Sequence, residues 1–264
     1  MTMDENQQRA WRALGLGPVW DSRAGQVQRE EQASPPGLSS SERSAGADRA
    51  VLPADQDGSG SVAVAELTAG QGEVSAMGWA ALESSVAGCQ ACSLSQGRTQ
   101  TVFGVGNRNA DWMFIGEAPG AEEDARGEPF VGQAGRLLDN MFAAIGLSRS
   151  KDVFIANVLK CRPPHNRDPL PAEVGSCEPF LARQIALVDP RIIVVMGRFA
   201  AQTLLRTDAS ISSLRGRVHG FALGERTVPV VVTYHPAYLL RTPSDKGKSW
   251  SDLCLARALA AQAS

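Results

Sequence analysis

The sequence predicts a three-layer α/β/α sandwich with a central, mostly parallel, four-stranded sheet. Two observations support this fold class. Four short runs beyond residue 100 are apolar and largely β-branched, which is typical of strands that are buried on both faces. Segments with helical periodicity follow these runs, and such an alternation is typical of a parallel sheet covered by helices on both sides.

The predicted elements follow one another in a regular order. The strands are expected at 111–117 (DWMFIGE), 153–157 (VFIAN), 191–197 (RIIVVMG) and 228–235 (VPVVVTYH). Apolar residues recur at helical spacing after each strand, in 137–145, 180–187, 198–205 and 250–261. Each of the first three predicted helices can therefore cross over the sheet to the next parallel strand.

Composition divides the chain into three parts. Residues 1–20 could form a short helix with Ala10 and Trp11 on one face, either as a docking peptide for an unknown partner or, as we favour, as a loosely ordered terminus. Residues 21–80 are rich in Ser, Gly, Ala, Gln and acidic residues, which predicts a disordered acidic tether. Residues 85–264 contain the predicted strands and helices, and we expect them to form the folded domain.

Charge is also distributed unevenly along the chain. The first 88 residues contain 12 acidic and 6 basic residues and the remainder contains 16 and 20, so the net charge of −2 combines −6 with +4. A mildly basic domain is compatible with a polyanionic partner, but the surplus is too small to predict one by itself. Because neither a secretory signal nor an apolar run of membrane-spanning length is visible, we expect a cytoplasmic protein with no membrane partner, and by default a monomer.

Polar and proline-containing motifs follow all four predicted strands. They are GEAPG at 116–120, NVLKCRPP at 157–164, GRFA at 197–200 and HPAYLLR at 235–241. Ligands bind outside the carboxyl ends of the strands in open parallel sheets, so we expect these motifs to form one site.

Four cysteines are spaced as candidate metal ligands. Cys89 and Cys92 form a Cys-x-x-Cys pair before the first strand, Cys161 lies in the polar loop after the second, and Cys177 follows on the next helix. A cysteine in a polar, proline-stiffened loop is unusual for a core residue, and disulfides are rare in the cytosol. Four thiolates suit either zinc or a 4Fe-4S cluster, and the spacing alone does not separate the two.

Three stretches then carry a resemblance to a known family. GEAPGAEEDARGEPFVGQAG, NVLKCRPPHNRDP and TYHPAYLLR, in this order and with the four cysteines, resemble the family 4 uracil-DNA glycosylases, which are bacterial and archaeal enzymes with a 4Fe-4S cluster. The resemblance runs from about Gly88 to Trp250. It implies a uracil-DNA glycosylase-like catalytic domain at 85–264 that flips uracil out of DNA and hydrolyses its N-glycosidic bond. It also implies a structural 4Fe-4S cluster held by Cys89, Cys92, Cys161 and Cys177.

The resemblance also suggests roles for individual residues. Asn157 would read uracil, because its amide can accept a hydrogen bond from N3–H and donate one to O4, and Phe130 would stack on the base. His235 would donate to the departing uracil, and Glu117, followed by Ala118 in the base pocket, would act on the attacking water and the sugar. The alternative that the Glu117 carboxylate only holds its own loop stays open.

Contacts with DNA are expected from the loops around this site. Tyr238, Leu240 and Arg241 could meet DNA, with an apolar wedge in the gap left by the flipped nucleotide and the arginine on a phosphate. Leu239 and Leu240 could equally begin a buried helix. Further candidate phosphate partners are Arg162, Arg167, Arg215, Arg217, Lys246 and Lys248.

Two alternatives to the enzyme remain. A non-catalytic nucleic-acid-binding module of the same superfamily would bind DNA whether or not the DNA contains uracil. A zinc-binding structural protein would be colourless and would excise no base. The joint presence of Glu117, Phe130, Asn157 and His235 favours the enzyme over both.

Overall fold

The structure is a computed structural model, and it describes residues 64–65 and 73–262. The possible helix at 1–20 and most of the predicted tether lie outside the described residues, so both stay predictions. The tether prediction is wrong where the structure describes it, because Val64–Ala65 form a strand of the sheet, Glu73–Ala76 form a 3-10 helix, and an α-helix begins at Trp79.

Seven strands form one sheet in the part of the chain that the structure describes. They are β1 (Val64–Ala65), β2 (Val105–Gly106), β3 (Trp112–Gly116), β4 (Val153–Asn157), β5 (Ile192–Met196), β6 (Val218–Leu223) and β7 (Arg226–Thr233). Their order across the sheet is β1-β6-β7-β5-β3-β4-β2. The four predicted strands, β3, β4, β5 and β7, are its parallel centre. The sheet is wider than predicted, because β6 and β2 add antiparallel to β7 and β4, and β1 then pairs with β6.

Eight α-helices lie among the described residues. They are α1 (Trp79–Ala87), α2 (Ala121–Arg126), α3 (Gln133–Ala144), α4 (Pro171–Val188), α5 (Arg198–Leu205), α6 (Ile211–Leu214), α7 (Pro236–Arg241) and α8 (Lys246–Gln262). The four helical segments predicted from the sequence correspond to α3, α4, α5 and α8. None of the described helices is both long enough and apolar enough to cross a membrane.

Helix α1 belongs to the same folded unit as the sheet. Leu82 and Val86 are completely buried, and the ring of Trp79 lies 6.1 Å from that of Phe103 and 5.4 Å from that of Phe154. The predicted domain start at residue 85 therefore falls inside a packed helix.

Both faces of the sheet are covered. Along β5, Ile193 and Val195 face one core, which α1, α4 and α5 complete, whereas Ile192, Val194 and Met196 face a second core, which α3, α7 and α8 complete. Successive side chains of a strand point to opposite faces, so a strand that is buried on both sides is apolar throughout. This arrangement confirms the three-layer α/β/α sandwich.

The parallel centre of the sheet brings the strand-end motifs to one edge. Gly116 at the end of β3 pairs with Asn157 at the end of β4, and Met196 at the end of β5 pairs with Thr233 at the end of β7. The residues that follow these positions must therefore leave the sheet side by side.

Candidate active site and cysteine-lined cavity

A cavity of about 410 Å³ lies at this edge of the sheet. It is lined by Glu117, Ala118, Pro119, Gly120, Glu123, Phe130, Ala134, Asn157, Pro163, Asn166, Arg167, Asp168, His235, Ala237, Tyr238 and Arg241. All five residues predicted to bind the base or act in catalysis are among them. Three of the four strand-end motifs thus share one cavity, as the edge argument predicted, whereas no residue of the GRFA motif at 197–200 lines it.

Asn157 is the last residue of β4 and is only 2% exposed. Its Oδ1 atom is buried and has no hydrogen-bond partner among the described residues. Buried polar atoms are nearly always hydrogen-bonded, so an unpaired acceptor in the wall of a cavity indicates a ligand or a water there. The close approach of Asn157 depends on Gly116, since a Cβ at that glycine would lie 2.4 Å from Oδ1.

Phe130 is held in the cavity wall by its loop. Its backbone has a φ of 55°, in the left-handed region that residues other than glycine rarely adopt. Arg149 donates from Nη1 to the carbonyl of Pro129 (3.0 Å) and from Nη2 to that of Phe130 (2.6 Å), while Val131 N donates to the Glu123 carboxylate (3.0 Å). These contacts fix the strained turn and with it the direction of the ring.

His235 lies opposite, between β7 and α7. Ala237 N donates to its Nδ1 (3.1 Å), which leaves Nε2 as the protonated nitrogen of the neutral ring. Burial, with the positive charge of Arg241 as the second cause, lowers the pKa of His235 from 6.5 to about 4. The imidazole is therefore a neutral donor at physiological pH, and its ring centroid lies 5.4 Å from that of Phe130.

Glu117 follows β3 and is partly buried. Burial raises the pKa of its carboxyl above the ordinary 4.5, the Asp168 carboxylate adds to the increase, and Arg198 opposes it. Asp168 also lines the cavity and accepts a hydrogen bond from Arg198 Nη2 at 3.1 Å. The cavity thus contains a carboxyl group with raised basicity beside an arginine–carboxylate pair.

The predicted DNA-contacting residues are distributed around this cavity. Tyr238 and Arg241 line it, and Leu240 is 40% exposed next to them. Leu239 is 1% exposed and packs in the second core, so the two leucines of HPAYLLR face in different directions. Arg162 is not among the lining residues, and its Nε donates to Asn166 Oδ1 at 2.8 Å.

Two of the further arginine candidates have structural partners. Arg215 is mostly buried, pairs with Asp252 at 2.7 Å and lies over the ring of Tyr234, with 4.2 Å between its Cζ and the ring centroid. Arg167 is half-exposed and pairs with the buried Glu173 at 2.6 Å. Arg215 is thus engaged in the interior, so the prediction that it contacts phosphate is wrong. Arg167 keeps part of its surface at the cavity.

The four predicted metal ligands come together in a second cavity. Cys89, Cys92, Cys161 and Cys177 line it together with Arg98, Lys160 and several apolar residues. All four are free thiols. Among the described residues, no three His, Cys, Asp or Glu side chains are grouped so that they could hold a single metal ion.

Hydrogen-bond donors point at two of these sulfurs. Arg98 Nη1 donates to Cys161 Sγ at 3.1 Å, and the backbone N–H of Lys160 donates to Cys177 Sγ at 3.3 Å. Burial raises the pKa of Cys177 to about 11 and also raises that of Cys161, although Arg98 opposes the second increase. Such donors stabilise thiolates, the form in which cysteine binds a metal.

Several residues near the two cavities escaped the sequence analysis. Arg149 and Gln184 belong to no motif, and Asp168 lies within the NVLKCRPPHNRDP stretch but was not singled out; the relevance of all three depends on contacts with residues distant in the sequence. The only available signal was the DP dipeptide that follows NR in the NVLKCRPPHNRDP stretch, which placed Asp168 near the site loop.

Comparison with known proteins identifies the family of the chain. Residues 103–257 match the family described as "Uracil DNA glycosylase superfamily". The chain is 47% identical over 168 residues to a type-4 uracil-DNA glycosylase of Archaeoglobus fulgidus, covering 62% of this chain and 84% of that protein. It is 44% identical over 168 residues to the type-4 enzyme of Sulfurisphaera tokodaii (62% and 76% covered) and 46% identical over 160 residues to that of Saccharolobus solfataricus (59% and 74%).

The sandwich fold, the strand-end site and the matched residues define a member of the uracil DNA glycosylase superfamily. Within that superfamily, the chain belongs to the type-4 uracil-DNA glycosylases. The resemblance found in the sequence motifs is thereby confirmed.

Proposed function

We propose that this protein is a DNA-repair hydrolase that turns a uracil nucleotide out of DNA into the 410 Å³ cavity and hydrolyses its N-glycosidic bond. The products are free uracil and an abasic site. One observation carries the assignment of the cavity: the buried Oδ1 of Asn157 has no partner among the described residues and stands beside an aromatic ring and a neutral imidazole.

Asn157 would read the Watson–Crick edge of the base. Its Oδ1 would accept from uracil N3–H, and its Nδ2 would donate to O4. Cytosine has an acceptor at N3 and a donor at C4, so it would leave both atoms of the amide unpaired. Sites that depend on such hydrogen bonds can discriminate by about 10⁴-fold or more.

Phe130 and His235 would act on the ring and on the leaving group. The Phe130 ring would stack on the base, which is worth about 1–3 kcal/mol in single-strand binders. Uracil departs as an anion, and the neutral His235 ring can donate from Nε2 to the oxygen where this charge develops. A donor of this kind typically contributes about 10²–10³-fold in rate.

Glu117 would act on the sugar side of the bond. Its carboxylate can attract the cationic sugar that forms as uracil leaves, and its raised pKa makes it a better base towards the attacking water. Because the sugar becomes electron-poor only in the transition state, this attraction lowers the barrier rather than strengthening substrate binding.

The rim of the cavity would meet the DNA backbone. Leu240 is exposed and could fill the gap that the flipped nucleotide leaves, whereas the buried Leu239 would anchor α7. Tyr238 and Arg241 would contact sugar and phosphate beside the cavity, and Arg162 would contact phosphate further out.

We also propose that Cys89, Cys92, Cys161 and Cys177 hold a structural 4Fe-4S cluster. A single zinc ion would require four sulfurs at about 2.3 Å from one point. The resemblance to the type-4 enzymes favours a cluster over zinc, and the four thiols fit it because they line one cavity and two of the sulfurs accept N–H donors, from Arg98 and from the Lys160 backbone. Bound there, the cluster would fix the loop that leads from Asn157 to Cys161.

The function is tested by excision from an oligonucleotide with a single uracil, followed by alkaline cleavage of the abasic site, beside a thymine control. Asn157→Asp cannot donate to O4, and we expect it to lower kcat/KM on uracil by about 100-fold or more. The matched control is Asn140→Asp, the same chemical change on the exposed face of α3, which should leave excision unchanged. If Asn157→Asp excised uracil with wild-type activity, the proposed role of Asn157 in reading the base would be refuted.

A measurement of DNA binding distinguishes the enzyme from the non-catalytic alternative. A module without activity would bind uracil-containing and uracil-free DNA equally and would leave both intact. The zinc alternative is separated by metal analysis, because it predicts one zinc and no visible absorbance, whereas the cluster predicts iron and a brown protein. The monomeric state, the cytoplasmic location and a partner for the amino-terminal segment stay predictions.

A further inference from the structure

Lys160 lies between the base cavity and the cysteine-lined cavity. It is only 1% exposed and lines the cysteine cavity. Its Nζ donates to the backbone carbonyl of Asn157 (2.7 Å) and to Gln184 Oε1 (2.6 Å), and its own N–H donates to Cys177 Sγ (3.3 Å). One residue therefore contacts both the base-reading residue and a proposed cluster ligand.

The charge of Lys160 has no carboxylate partner among the described residues. Both acceptors of its ammonium are neutral, and Gln184, which is fully buried, is fixed by donating to the carbonyl of Phe103 at 2.8 Å. A buried charge without an opposite charge costs several kcal/mol, and an apolar side chain of similar size would usually be more stable there. The negative charge that would offset this cost is that of the neighbouring cysteines once they bind iron as thiolates.

We propose that Lys160 is a positioning residue that couples the iron–sulfur cluster to uracil recognition. Its ammonium balances part of the negative charge of the thiolate-ligated cluster, and the same ammonium holds the Asn157 carbonyl, so that the Asn157 amide stays at the correct place for the base. This inference rests on the proposed cofactor.

The two contacts predict two separate effects of removing the charge. A positive charge near the cluster favours the added electron, so its loss makes the reduction potential of the cluster more negative. Loss of the hydrogen bond to the Asn157 carbonyl loosens the end of β4, and a misplacement of about 1 Å in an active site can cost about 100-fold in rate. A residue that only fills space would produce neither a change in potential nor a selective loss of kcat.

The test uses Lys160→Met, which keeps an unbranched side chain one heavy atom shorter and removes the charge and the donors. In the full-length protein, we expect iron content near that of the wild type, a more negative reduction potential, and a loss of about 10- to 100-fold in kcat on uracil with a much smaller change in KM. The matched control is Lys151→Met, which removes the same charge from an exposed site before β4 and should change neither quantity.

A second variant keeps the test decisive if Lys160→Met does not fold. Lys160→Met combined with Gln184→Met also removes the amide oxygen that the single change leaves unpaired, in exchange for the donor that Gln184 gives to the carbonyl of Phe103. It should show the same shift in potential and the same loss of kcat. A wild-type potential and wild-type kcat in the folded variant would overturn the coupling and leave the cofactor intact, whereas a wild-type protein without iron would refute the cofactor and the coupling together.

Discussion

Gly116 is the position at which a single methyl group should damage the active site most directly. The residue ends β3 and lies beside Asn157 of β4 in the sheet. A Cβ there would lie 2.4 Å from Asn157 Oδ1 and 2.7 Å from Phe130 Cζ, whereas ordinary contacts begin at 3.4 Å. Gly116→Ala must therefore displace the Asn157 amide, the Phe130 ring or both by close to 1 Å.

The size of the effect follows from these distances. Overpacking of a well-filled site costs about 1–3 kcal/mol in the free energy of unfolding. The same shift moves the two proposed base contacts, and about 1 Å of misplacement can cost about 100-fold in rate. We therefore expect the excision rate to fall by much more than the loss of stability explains, because the folded fraction stays near one at 25 °C.

Single-turnover excision of uracil and urea unfolding would be measured on the same preparations. The control is Gly175→Ala on the exposed face of α4, where an added Cβ meets nothing within 4 Å. This change should leave excision unchanged and raise stability by roughly 0.5–1 kcal/mol, because alanine is the better helix former. If Gly116→Ala excised uracil at the wild-type rate, Asn157 and Phe130 would not be the base contacts.

The remaining predictions concern pH and the Phe130 loop. In the proposed mechanism Glu117 acts in its charged form, so kcat should fall as the pH drops through a value above 4.5, and Glu117→Gln should lower kcat and abolish this acid limb. In the proposed mechanism His235 acts in its neutral form and is protonated only near pH 4, so an acid limb at its ordinary 6.5 that persists in Glu117→Gln would contradict the assignment. Arg149→Met removes both donors to the Phe130 loop and should lower kcat/KM by about 10-fold or more, whereas Arg126→Met, an exposed arginine on α2, should not.

Much of the fold could be predicted from the sequence for a simple physical reason. A strand that is buried on both faces is apolar along its buried length. The apolar runs of β3, β4, β5 and β7 can therefore be recognised in the sequence alone. The missed strand β6 has only two buried residues, Gly220 and Phe221, between partly exposed ones that include His219, so it lacks such a run. β1 and β2 are two residues long and form only through their partners.

The sequence by itself determined the family, the strand-end site and the identities of the main candidate residues, because these depend on local motifs and on the rule that parallel strands end at one edge. Only the tertiary structure decided that Leu239 is buried while Leu240 is exposed, and that Arg215 is engaged with Asp252. It alone also revealed the unpaired Oδ1 of Asn157 and the hydrogen bonds by which Lys160 contacts both Asn157 and Cys177. Burial, pKa and unpaired atoms depend on contacts between distant segments, and the order of residues along the chain does not contain those distances.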